Sequence, residues 1–158
     1  MDQAEYLLKL ERNLMIGSAR WIADFTESFR DHTVDGIRFD MLLRAKTRVK
    51  GFFLSNIMSF FILPNYRAAC FVCGSDQAKR GLHSLLAVVS RYMEAEGLKW
   101  CWLVILGHGS FPAKLHKAVT RNDVREIGLA LVDLSSQDIV TNSSFMGRRM
   151  VPHIRCFK

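Results

Sequence analysis

"IRFDMLLRAKTRVK", Ile37 to Lys50, alternates with period two. Odd positions carry Ile37, Phe39, Met41, Leu43, Ala45, Thr47 and Val49, and even positions carry Arg38, Asp40, Leu42, Arg44, Lys46, Arg48 and Lys50. Successive side chains of a strand point to opposite faces, so the spacing predicts a strand with one buried and one polar face. Lys50-Gly51 reads as a tight hairpin turn and "FFLSNIMSFFIL" (52–63) as the returning strand. Pro64-Asn65 reads as a further turn and "RAACFVCG" (67–74) as the third strand.

Before this meander, Leu7, Leu10, Leu14 and Met15 share one face at helical spacing and predict a helix over 3–16, with Gly17 at its end. Ser18 reads as the N-cap of a second helix over about 19–31, with Trp21, Ile22, Phe25 and Phe29 on one side. After it, Ser75 or Asp76 caps a long helix whose stripe is Leu82, Leu85, Leu86, Val89 and Met93, and Gly97 ends it. "KWCWLVIL" (99–106) and "EIGLALVDL" (126–134) are apolar runs of strand length, separated by a short helix over 111–121. "SSQD" is turn-like, "IVTN" returns as a short edge strand, and the tail "GRRMVPHIRCFK" reads as basic and irregular. The order predicts an α/β (α+β) fold. It is a mixed sheet with an antiparallel three-strand meander followed by β-α-β, helices packed on the sheet, in a single globular domain over 1–158.

A chain of 158 residues that is 49% hydrophobic has the apolar content for one sizeable core. The net charge of +7 favours acidic partners such as nucleic acid. The most apolar stretch, "GFFLSNIMSFFIL", is interrupted by Ser55, Asn56 and Ser59 and falls short of the roughly 20 residues that span a bilayer. The N-terminal "MDQAEYLLKLERNL" is amphipathic rather than a basic start followed by an apolar block. The expectation is a soluble, cytoplasmic protein with no membrane partner. Cys70 and Cys73 form a lone C-x-x-C with no second close pair, and on a strand thiols three apart point to opposite faces. Buried structural cysteines follow, with no metal and no cofactor. No phosphate-binding or dinucleotide glycine loop, zinc-protease helix or nucleophile elbow occurs, and no catalytic residue is assigned.

Two groups of residues remain as candidates. Gly107-His108-Gly109-Ser110 ends a buried strand just before a helix, where Ser110 reads as the N-cap. If the next strand is parallel, Asp133 and Ser135 end on the same edge, and His108, Ser110, Asp133 and Ser135 form a pocket. The second group is basic. Arg44, Lys46, Arg48 and Lys50 lie roughly 7 Å apart along one strand face, close to phosphate spacing. Arg148 and Arg149, with Arg155 and Lys158, add a cluster in the tail.

The element order over about 18–106 resembles the core of the restriction-endonuclease-like fold. That resemblance implies Mg²⁺ held by an acid on the second meander strand and by an acid-x-Lys on the third. From Gly51 to Ser75 the sequence has no Asp, Glu or Lys, and Asp40 falls on the first strand of the meander as read here. The nuclease site is therefore expected to be missing. Arg38-Phe39-Asp40, the hairpin Leu131 to Asn142 and Gly147-Arg148 also resemble a group of uncharacterised archaeal proteins, a likeness that brings no activity with it. The sequence reads best as a non-catalytic binding or interaction protein, with nucleic acid or another polyanion as its partner and a homodimer as its form. The alternative is a degenerate nuclease-like enzyme, or a hydrolase that uses the His108 loop.

Overall fold

The computed structural model describes residues 1–17, 19, 22–46, 67–79 and 81–157. Strand β1 (Asp24–Val34) pairs antiparallel with β2 (Ile37–Lys46), and β2 pairs antiparallel with β3 (Arg67–Gly74). The helix expected over 19–31 is thus replaced by a strand from Asp24 onward. Asp35 and Gly36 explain why: both have left-handed φ, 47° and 78°, and they join Val34 to its partner Ile37 as a two-residue hairpin loop. Backbone pairing with β2 overrides the helical spacing of Phe25 and Phe29. The period-two strand is therefore the second strand of the meander, not the first. Residues 47–50, the Lys50-Gly51 turn, the returning strand 52–63 and the Pro64-Asn65 turn lie outside the described residues.

From β3 the chain crosses through α2 (Ser75–Lys79) and α3 (Leu82–Glu96) to β4 (Leu98–Gly107), parallel to β3. One long helix was expected here. It is split at Gly81, whose φ of 132° is incompatible with a helix. Helix α4 (Ala113–Thr120) leads to β5 (Ile127–Asp133), parallel to β4, and β6 (Asp138–Thr141) returns antiparallel at the edge. The sheet order is β1-β2-β3-β4-β5-β6. The tail expected to be irregular is helix α5 (Phe145–Ile154). Ser144 caps it by accepting from Gly147 N, and Met146, Met150 and Ile154, spaced by four, bury one stripe.

Helices cover both faces of the sheet. Helix α1 (Gln3–Met15) and α5 pack on one face with Tyr6, Leu10, Leu14, Met146 and Met150 against Met41, Leu43, Cys70, Trp102 and Val132. On the other face, α2, α3 and α4 place Ala78, Leu85, Val89, Leu115 and Val119 against Leu42, Phe71, Leu103 and Leu129. Each fully buried large apolar side chain contributes about 1.5–3 kcal/mol, so both layers are integral to stability. This corrects the expectation of a polar face on β2. Leu42 is fully buried under the α3 layer, while Arg38 and Lys46 at the two ends are exposed.

Candidate functional site

Strands β4 and β5 run parallel with Gly107 opposite Asp133, so the loops after them meet at one edge of the sheet. Asp133 Oδ1 accepts from Gly109 N at 2.9 Å, Ser135 N at 2.8 Å and Ser136 N at 3.4 Å. Leu134 N adds a bond to Gly107 O at 2.8 Å. Burial works against the carboxylate's charge, but these N–H groups outweigh it and hold its pKa below the ordinary aspartate value. Ser110, Asp133 and Ser135 line an open cleft of about 730 Å³, together with Phe111, His116 and Asp138. His108 is exposed and does not belong to the cleft wall, where His116 of α4 stands instead. Ser110 does not cap α4. The N-cap position is Pro112, with no side-chain hydrogen bond. Among the described residues no hydrogen bond joins the side chain of His108 or His116 to Ser110, Asp133 or Ser135, while Asp133 Oδ1 holds the two loops together.

This geometry separates three of the four residues in stability. His108→Ala and Ser110→Ala are expected to stay within about 0.5 kcal/mol of wild type, as exposed loop changes do. Asp133→Ala is expected to cost about 2 kcal/mol, since it frees three loop N–H donors. A carboxylate with a depressed folded-state pKa stabilises above its unfolded value, and the contribution is lost as pH falls through the folded value. Urea unfolding at neutral pH and at acid pH checks this: the Asp133→Ala penalty should shrink in acid.

The basic candidates divide. Arg44 is half-buried and bonded to Glu27 at 2.9 Å and Glu96 at 3.2 Å, and its guanidinium lies 5.3 Å from the Phe29 ring centre. Two carboxylates thus neutralise it. Lys46 is exposed and lies directly across from Arg67, which is also exposed. Together with Arg44, Glu27 and Glu96 they border a cavity of about 310 Å³ at this end of the sheet. Arg48 and Lys50 lie outside the described residues. Arg148 and Arg149 are exposed on α5, where Arg148 donates to Ser143 O at 2.8 Å and Arg149 stacks 5.1 Å from Phe145. Arg67 and His116 escaped the sequence reading because neither register nor helix placement is visible in a linear pattern.

Asp40 sits on β2, the second meander strand. Burial first, then Asp76, pushes its carboxyl pKa up, and its Oδ2 is buried with no hydrogen-bond partner among the described residues. Strand β3 supplies neither an acid nor a lysine, and no cluster of three or more metal-ligating side chains occurs among the described residues. Cys70 and Cys73 fall in opposite core layers, and burial pushes both thiol pKa values up. All four cysteines are buried and free. No family model, no curated protein and no solved structure matches this chain.

Proposed function

We propose that the protein binds nucleic acid or another polyanion without catalysing a reaction on it, and that contact is made where Lys46 of β2 meets Arg67 of β3. The observation that supports this is the cross-strand pairing of two exposed cations that have no ion pair among the described residues, beside a cavity that Arg44 also lines. Arg48 and Lys50 follow Lys46 within four residues of sequence. A homodimer is supported by two apolar side chains left to solvent, Leu8 on α1 and Ile16 at its C-cap, which are 63% and 70% exposed. The described residues contain no helix long and apolar enough to cross a membrane. The four free, buried thiols support a cytoplasmic location, since that compartment keeps thiols reduced.

The test is Lys46→Glu with Arg67→Glu, measured against a generic duplex and a single strand at two salt concentrations. Affinity is expected to fall at least about tenfold at low salt, and the log–log salt slope to become shallower by about 2, as two phosphate contacts are lost. The loss should be similar across base sequences, since phosphate contacts carry little base information. Unchanged binding, or no binding by wild type, ends the proposal. A larger loss in Arg148→Glu with Arg149→Glu moves the contact to α5.

One observation favours a second reading, a degenerate nuclease-like enzyme: Asp40 lies on the second meander strand with an unpartnered oxygen and Asp76 beside it. Against it stands β3, whose one charged residue is Arg67. Mg²⁺-dependent cleavage abolished by Asp40→Asn would decide for this reading.

A further inference from the structure

We propose that the crease between α1 and the segment after α5 is a binding site for a small phosphate-bearing anion. Lys9, Arg12 and Asn13 stand at i, i+3 and i+4 of α1 and therefore share one face of the helix. Arg155 and Cys156 come from the C-terminal segment, and the five residues line a cavity of about 330 Å³. The frame is held independently of any ligand. Tyr6 Oη donates to Ile154 O at 2.8 Å in a buried bond, Asn13 Nδ2 donates to Cys156 Sγ at 3.4 Å, and the Tyr6 and Phe157 rings lie 5.9 Å apart.

The charge pattern carries the inference. Three cations meet at this cavity and its lining holds no carboxylate. Glu5 lies 3.0 Å from Lys9 and balances one of them. Glu11, the neighbour of Arg12, is committed to Ser28 and Arg30 on the other side. Arg12 and Arg155 are thus left with no ion pair among the described residues, whereas Arg30, Arg38, Arg44 and Arg91 each meet a carboxylate. Two guanidinium groups beside a lysine present the forked donors that match phosphate oxygens. The cavity holds roughly ten water volumes, enough for a phosphoryl group and part of the molecule that bears it. The crease is half open, and its size suits inorganic phosphate or a phosphomonoester.

The test titrates the full chain with inorganic phosphate, with phenyl phosphate and with a single-stranded oligonucleotide, by calorimetry or by amide NMR shifts. Saturable binding of both small probes at one site is expected, weakened at least about tenfold by Arg12→Gln and by Arg155→Gln. Both side chains are exposed, so thermal unfolding should be unchanged, and either variant alone suffices if the other fails to fold. Lys46→Glu with Arg67→Glu should leave small-probe binding intact, which separates this site from the polyanion contact. No saturation by either small probe up to about 10 mM, or equal binding in wild type and both arginine variants, overturns the proposal. It also fails if the oligonucleotide alone binds and the arginine variants weaken it, for the crease is then part of the polyanion surface.

Discussion

Gly147→Ala is expected to cost about 3 kcal/mol or more, or to prevent folding outright. A Cβ at this position would lie 2.0 Å from Asn142 Oδ1 and 2.5 Å from Asn142 O. Overpacking of this kind costs about 1–3 kcal/mol where neighbours can yield, and more where they cannot. Here they cannot yield cheaply. Asn142 Oδ1 already accepts from Leu129 N at 3.0 Å and from Ser144 Oγ at 3.1 Å, and Asn142 is 1% exposed. The first turn of α5 would have to lift away from β5, where Gly128 also has no room: a Cβ there would lie 2.8 Å from the Met146 backbone. Urea unfolding and the thermal midpoint both report the effect, the latter by a drop of roughly 6–12 °C for a chain of this size. A loss below about 1 kcal/mol would show that α5 shifts freely.

Asn142→Ala is expected to cost about 3 kcal/mol for a different reason. As β6 ends, the backbone N–H of Asn142 still reaches Leu129 O at 3.1 Å, and the chain then turns toward α5. The side chain continues the pairing in place of the backbone. Its Oδ1 accepts from Leu129 N, and its Nδ2 donates to Ile127 O at 3.1 Å. Alanine leaves the buried Leu129 N–H unmet, at about 1–3 kcal/mol, empties the space the carboxamide filled, and leaves Ile127 O with only the longer bond from Ser144 Oγ at 3.4 Å. Asn142→Asp is expected to be no better, because it removes the donor to Ile127 O and buries a charge. Combining Asn142→Ala with Gly147→Ala should not restore stability. The carboxamide is gone, but the backbone oxygen at 2.5 Å remains. A double variant as stable as Asn142→Ala alone would mean that the side chain was the whole obstacle at Gly147.

These two residues sit within the hairpin and Gly-Arg stretch that stood out in the sequence, and their visible work is structural. The same holds for much of the His108 loop. Gly107, Asp133 and Ser135 were legible as strand ends and turn residues, whereas Ser110 read as a helix cap that it does not form. That Asp133 ties two loops together follows from the parallel register that sets it opposite Gly107. A strand's end can be read from composition; its register cannot.

By itself the sequence determined the elements whose signal is local. Period-two alternation marked β2, unbroken apolar runs of strand length marked β3, β4 and β5, and regular stripes marked α1 and α3. These patterns persist because side-chain direction repeats with the backbone period whatever the partner. The tertiary structure decided everything that depends on what lies opposite. Phe25 and Phe29 fit a helix face until the Asp35-Gly36 turn folds their segment against β2. Met146, Met150 and Ile154 form a stripe that acquires meaning once α5 has a sheet to cover. Arg44 looked like one of four equivalent cations, yet Glu27 lies 17 positions away in sequence and Glu96 lies 52. A strand can be recognised from a few neighbouring residues, but whether its charge is free depends on which distant carboxylates the fold brings within reach.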